Sequence, residues 1–266
     1  MNFLLTNDDG VSAPGIWVAA RVLSKYGKVL MVAPSANCSG YGTSFPPGQK
    51  PAFREYHHPE GHPANVIAYS LDASPATCAN AGLNGAFGNM AIDMVVSGIN
   101  WGSNMGRDVF YSGTVGAALT AQIMGVPSIA ISLDAPSSAT PNWGGAAWAL
   151  DEAVKMALTQ HEIEPIMFNV NVPNRPAMAL RGLHLTTFSA YSFMNRVRFV
   201  PDMDQPGQLK VIATNSTEEP EIGTDSWAVA QGYASITPIQ PMPELMRILP
   251  WVNTESMSSM ALAYES

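Results

Sequence analysis

Positive charge is scarce in this chain. Of 266 residues, 13 are lysine or arginine against 21 aspartate or glutamate, a formal net charge of −8. That balance excludes a general nucleic-acid coat and binding to anionic membranes, since both need clustered basic residues. A small anionic substrate is still allowed, because a metal ion and backbone N–H groups can supply local positive character. Charged residues of both signs together reach only 13%, which excludes a long solvated tail. Cysteine is nearly absent. Cys38 and Cys78 form no Cys-x-x-Cys pair and no zinc spacing, so a disulfide framework is not implied and reduced, buried thiols are expected. No apolar run is long enough to span a bilayer. The first residues lack the basic, apolar and small-residue regions of a signal peptide and read instead as a first strand. The expectation is a soluble cytoplasmic protein. No Gly-x-Ser-x-Gly elbow appears, which argues against a Ser-His-Asp hydrolase. There is no internal repeat, and the scattered methionines read as core filling.

Hydrophobic residues make up 47% of the chain, enough for one large α/β domain or a domain with an extension. The first half alternates strand-like and helix-like segments. Residues 3–5 and 29–33 read as buried strands, with a helix between them that enters at Ala13-Pro14-Gly15 and stops near Gly27. This is a βαβ unit with parallel strands. Further strands are expected at 65–71, 92–96, 126–133 and 166–172, and helices at 75–87, 114–124 and 144–159. Residues 45–63 read as an irregular insertion or hairpin whose His57, His58 and His62 suit a surface loop better than a metal site. Beyond residue 184 short strand-like runs with turns take over, followed by a helix at 224–231 and a strand at 233–239. Pro220, Pro238, Pro241 and Pro243 punctuate this end.

Four segments carry the chemistry. Thr6-Asn7-Asp8-Asp9-Gly10 places two carboxylates side by side at a strand end, where open α/β sheets bind ligands. Adjacent carboxylates repel unless a cation or protons intervene, and a hard divalent ion prefers oxygen ligands. The competing reading is an exposed turn, because Asn-Asp-Asp-Gly is also good turn chemistry. The segment from Val96 to Gly106 leaves a strand for a Gly/Asn/Ser loop in which Asn100 offers an amide oxygen. Its glycine spacing is not Gly-x-Gly-x-x-Gly, so a dinucleotide reading is weak. Tyr111-Ser112-Gly113-Thr114 opens a helix and suits an anion, although Ser112 or Thr114 also suits an ordinary N-cap. Ala33-Pro34-Ser35-Ala36-Asn37-Cys38-Ser39-Gly40 leaves another strand end. All four converge on one edge of a parallel sheet.

Together these segments resemble the SurE (survival protein E) family of metal-dependent nucleotidases. The matching pieces are Thr-Asn-Asp-Asp-Gly, Val-Ala-Pro…Ser-Gly, Val-Val-Ser-Gly-Ile-Asn and the long run Asp108-Val109-Phe110-Tyr111-Ser112-Gly113-Thr114-Val115-Gly116-Ala117-Ala118. Weaker matches follow at Asn169-Val170-Asn171-Val172-Pro173, at Gly223-Thr224-Asp225 and from Gly232 to Pro238. The resemblance implies a divalent metal, Mg2+ or Mn2+, held by Asp8, Asp9, Ser39 and Asn100. It implies phosphate contacts from Asn104, Ser112, Gly113 and Thr114, with Asp8, Asp9 and Asn100 as the catalytic set. The implied reaction is hydrolysis of nucleoside 5′- and 3′-monophosphates by metal-activated water. The implied architecture is a three-layer α/β/α Rossmann-like core with a mostly parallel sheet over residues 1–180. A strand-rich extension over 181–266 serves oligomer contacts and returns to the core. Unpaired strand edges there predict a homodimer or higher homo-oligomer.

The chain also departs from the family pattern. Ser35, Ala36 and Cys38 stand where the family usually has an acid and two arginines. Thr77 replaces an acid, Trp101 a histidine, and Arg107 an acid. The metal set is retained while much of the surrounding charge is not, and loss of arginines weakens phosphate binding. A non-catalytic metal- or nucleotide-binding relative is therefore the alternative. A haloacid-dehalogenase-type phosphatase is disfavoured, because that chemistry needs an aspartate where Asn7 sits.

Overall fold

The apolar runs of the first half become the strands of one sheet. The computed structural model describes residues 1–136, 138–159, 166–213 and 219–239. In chain order the elements are β1 (Asn2–Thr6), α1 (Pro14–Leu23), β2 (Lys28–Pro34), β3 (Phe53–Glu55), β4 (Val66–Leu71), α2 (Pro75–Leu83) and β5 (Met94–Trp101). Then come α3 (Gly113–Ile123), β6 (Ser128–Asp134), α4 (Trp143–Thr159), β7 (Met167–Pro173) and β8 (Leu183–Leu185). The last are β9 (Val197–Pro201), β10 (Leu209–Ala213), α5 (Asp225–Ala230) and β11 (Ala234–Ile239). A 3-10 turn, Gly106–Phe110, leads into α3.

Nine strands form the sheet in the order β3-β4-β2-β1-β5-β6-β7-β11-β8. From β4 to β7 every pair is parallel, whereas β3 joins β4 and β11 joins β7 antiparallel. Side chains alternate across the sheet. Phe3, Leu5, Val29 and Met31 pack with Ile16, Ala20, Ala149 and Val154 of α1 and α4. Leu4, Leu30, Val32 and Val95 face Cys78 of α2 and Ala121 of α3. The sheet thus has a helical layer on each side, which is the expected three-layer α/β/α architecture. The helix starts follow from local chemistry: Ser74 and Ser112 cap α2 and α3, and Pro14 and Pro75 occupy first-turn positions where no N–H is needed.

Strand order reverses at β1. The chain runs outward to β2 and β4 on one side, then crosses to β5, β6 and β7 on the other. The carboxyl end of β1 is therefore a topological switch point, flanked by the ends of β2 and β5. The loops carrying Asp8 and Ser39 leave β1 and β2, and Asn100 sits at the carboxyl end of β5 itself.

One expectation needs correction in detail. Residues 97–101 belong to β5, not to a loop. The strand continues through a register shift between Ser97 and Asn100, and Asn100 still pairs with Ser132. Gly98 makes this possible: its φ is +135°, and a Cβ there would lie 2.3 Å from the Ile131 carbonyl oxygen. The region 45–63 supplies the short edge strand β3, which pairs antiparallel with β4 as the hairpin alternative expected, and His58 and His62 pack against Trp17 with ring centroids 4.7 and 5.7 Å away. Beyond residue 180, β8 and β11 join the main sheet, while β9 and β10 form a separate two-stranded hairpin. The remainder of the expected extension, residues 214–218 and 240–266 with Pro241 and Pro243, lies outside the described residues.

Candidate active site

Asn7 makes the turn that aims the acid pair. Its amide donates to the Gly10 carbonyl at 2.9 Å and its carbonyl oxygen accepts from the Gly10 N–H at 3.2 Å. The turn reading of this segment is realised by Asn7 and Gly10, although the turn is buried and not exposed. Asn7 is buried and spent on the backbone, so it is not placed as a nucleophile.

Asp8 is 3% exposed and lies against the start of α3. The Thr114 hydroxyl donates to its Oδ1 at 2.5 Å and the Thr114 N–H to its Oδ2 at 3.1 Å. A helix N-terminus favours the anion. Burial still dominates and, helped by the neighbouring Asp9 charge, pushes the Asp8 carboxyl up to about 6. Gly113 permits the close approach, because a Cβ there would lie 2.8 Å from the Asp8 Cβ. Gly113→Ala is expected to push Asp8 aside, cost about 1–3 kcal/mol in denaturant unfolding and lower turnover about tenfold or more. Unchanged turnover would show that Asp8 need not sit against this helix.

Asp9 accepts from the Trp101 N–H at 3.1 Å and from the Asn37 amide at 3.4 Å. Burial raises its carboxyl too. No ion pair reaches Asp8 or Asp9 among the described residues. Ser39 is exposed on the loop whose Cys38 N–H donates to the Asp8 carbonyl at 2.7 Å. Asn100 donates its amide to the Gly102 carbonyl at 2.7 Å, and its side-chain oxygen has no hydrogen-bond donor among the described residues. Among the described residues no group of three or more His, Cys, Asp or Glu could hold a metal. A nitrogen- or sulfur-rich zinc site is thus not offered. Two carboxylates, a hydroxyl and an amide oxygen make an oxygen-only set, suited to Mg2+ or Mn2+. A buried Asp8 beside a half-buried Asp9, without an ion pair among the described residues, fits a cation.

The expected phosphate residues divide. Ser112 accepts from the Val115 N–H at 3.1 Å as the N-cap and keeps its own proton to donate. Gly113 presents a first-turn N–H. Thr114 is turned onto Asp8, and the Asn104 amide donates to Ser132 at 2.8 Å. Asn104 is further fixed by Asn169 and Asn171, whose amides both donate to its carbonyl. Sequence reasoning missed three contributors. Asn37 touches Asp9. Asp134, raised by burial and bonded to Ser103, is another acid at the same sheet edge. Asp225 is fully buried and accepts from the Gly106 N–H at 2.7 Å, anchoring the loop into α3. Asn7 was legible in principle, since its spacing to Gly10 is that of an Asx turn.

The acid pair makes metal-free stability depend on pH. Asp8 shifts from 3.8 to about 6 on folding, so between these values the folded state binds the proton more tightly. Its contribution is present when protonated and is lost as the pH rises through about 6. EDTA-treated protein is expected to lose up to about 3 kcal/mol from this group between roughly pH 4 and 7. Comparing denaturant midpoints with Asp8→Asn across pH tests this. A wild type that gains on the variant as pH rises would contradict it.

Fold and site define a three-layer α/β/α protein with an acidic, oxygen-donor centre at the switch point of its sheet. The chain belongs to the SurE family: the family model described as Survival protein SurE matches residues 3–195. It is 37% identical over 242 residues to a protein of Thermus thermophilus named 5′-nucleotidase SurE 1, covering 90% of this chain and 91% of that one. A 5′-nucleotidase SurE of Nitrosococcus oceani is 37% identical over 246 residues, covering 90% and 91%. The crystal structure of the SurE protein from Aquifex aeolicus matches with a TM-score of 0.77 at 31% identity, covering 98% of this chain and 100% of that chain.

Proposed function

We propose that this chain is a metal-dependent phosphomonoesterase that hydrolyses nucleoside 5′- and 3′-monophosphates to nucleoside and phosphate. The observation that carries the reading is the buried Asp8 beside the half-buried Asp9 at the switch point, without a cationic partner among the described residues, in a chain whose relatives are named 5′-nucleotidases. Asp8, Asp9, Ser39 and Asn100 would hold Mg2+ or Mn2+. Once bound, such an ion supplies Lewis acidity toward a phosphoryl oxygen and lowers the pKa of a water. Asp8 and Asp9 bring negative charge to the centre, and either can accept a proton there. The Ser112 hydroxyl and the Gly113 N–H donate to phosphate oxygens. Thr114 serves by fixing Asp8, and Asn104 by fixing the loop that runs from Asn100 toward α3.

The neutral loop at Ser35, Ala36 and Cys38 favours a second reading, a metal- or nucleotide-binding relative without turnover. Phosphate release from a panel of nucleoside 5′- and 3′-monophosphates, with Mn2+, Mg2+ or EDTA, separates the two. Metal-dependent release supports the enzyme and ranks its substrates; none from folded, metal-binding protein supports the relative.

A homodimer or higher oligomer is also proposed. The β9-β10 hairpin stands off the main sheet and exposes Phe199, Leu209 and Val211, apolar side chains suited to a second copy. Among the described residues no helix is long and apolar enough to cross a membrane. A cytoplasmic location is supported by the two free, buried thiols.

A further inference from the structure

Beside the acid pair opens a cleft of about 310 Å³, walled by the loop after β2, the segment that follows it and the turn from β4 into α2. The cleft and the acid pair share two residues. The Asn37 amide reaches Asp9 at 3.4 Å, and the Cys38 N–H reaches the Asp8 carbonyl at 2.7 Å. A molecule whose reacting end lies at the carboxylates would thus extend into the cleft. The volume is at the lower end of the range for small-molecule sites.

The walls fix what that extension is. They contain no lysine, arginine or histidine, and their one acid is Asp72. Ser35, Ala36 and Cys38 keep one side short and uncharged. A second phosphate would meet no cation and would face the Asp72 carboxylate. A neutral group rich in N–H or O–H donors fits, because an ionised carboxylate only accepts hydrogen bonds. Tyr41, a half-exposed ring on the rim, offers a face for stacking.

We infer that this cleft takes the nucleoside part of the substrate, with Asp72 accepting hydrogen bonds from its ribose hydroxyls or base N–H groups and Tyr41 covering its planar face. The inference rests on the nucleotidase reading and adds the residue that selects the nucleoside. A diphosphate would meet the Asp72 carboxylate without a cation, and a sugar phosphate offers Tyr41 no planar face.

The test uses the full chain as wild type and Asp72→Asn. Asp72 is exposed and its backbone bond to Ala52 survives the change, so folding is not at risk. Binding of adenosine, 2′-deoxyadenosine and guanosine is measured by calorimetry in EDTA. The ratio of kcat/KM for the matching 5′-monophosphates to that for p-nitrophenyl phosphate is measured with Mn2+. Asp72→Asn is expected to weaken nucleoside binding and to lower the ratio, each at least tenfold. A loss confined to ribonucleosides assigns Asp72 to the ribose, and one that differs between adenosine and guanosine assigns it to the base. Binding and ratio within twofold of wild type, or no nucleoside binding by wild type, would overturn the inference. If wild type binds nucleosides through Asp72 but hydrolyses no ester, the nucleotidase reading fails and the cleft stands. If it hydrolyses both esters equally and binds no nucleoside, the cleft fails and the phosphatase stands.

Discussion

Asp8→Asn is expected to lower metal-dependent phosphate release by about three orders of magnitude or more, the scale seen when a key electrostatic group is removed from an active site. The fold should survive. An asparagine can keep both bonds to Thr114: its oxygen accepts from the Thr114 N–H, and its amide donates to the Thr114 hydroxyl, which rotates to accept. Only the charge is lost. Because that charge is buried beside Asp9, its removal should make the metal-free protein more stable at neutral pH, the usual sign of a site strained for function. Loss of turnover with gain of metal-free stability is a joint signature that a purely structural aspartate would not give. Activity assays and denaturant unfolding in EDTA read the two halves separately.

Asp225→Ala is expected to have a large effect on stability although it removes no apolar core side chain. Asp225 is fully buried and accepts from the N–H groups of Gly106, Ser189 and Ser226 at 2.7, 3.0 and 2.8 Å. Alanine leaves these donors unsatisfied, a loss of about 3–5 kcal/mol at the cost per buried group of this kind. The effect should also reach the site, because Gly106, two residues after Asn104, opens the turn that enters α3. Turnover should fall with a change in kcat larger than in KM, and Asp225→Asn should recover part of the stability. Thermal unfolding and steady-state kinetics on both variants check this; a midpoint within a degree of wild type would refute the anchoring role.

Much of this architecture is local and therefore readable from sequence. The strands around residues 3–5 and 29–33 are apolar on both faces because helices cover both, and uninterrupted apolar runs report that. Helix starts at Ser74-Pro75, Ser112 and Thr224 carry their caps in the sequence. The convergence of Asp8, Ser39 and Asn100 followed from placing each motif at a strand end. What stayed hidden depends on packing between distant segments. That β5 runs on to Trp101 is decided by Gly98 lying against Ile131 on the next strand. The bond from Thr114 to Asp8 joins residues 106 positions apart, and that from Gly106 to Asp225 spans 119. Thr114 was therefore readable as a phosphate residue but not as the holder of Asp8. Nor can a one-dimensional pattern show that β11 returns antiparallel beside β7 and pairs with β8, since short edge strands have no partner written into their own residues.

The proposed chemistry needs a divalent ion at the Asp8-Asp9 pair to drive hydrolysis of a nucleoside monophosphate. The most direct test strips the protein with EDTA and follows phosphate release from a nucleoside 5′-monophosphate as Mn2+ is titrated back, beside Asp8→Asn. No release in EDTA, saturable recovery at one ion per chain for wild type, and none for the variant are expected. Full turnover in EDTA, or equal recovery by Asp8→Asn, would contradict it.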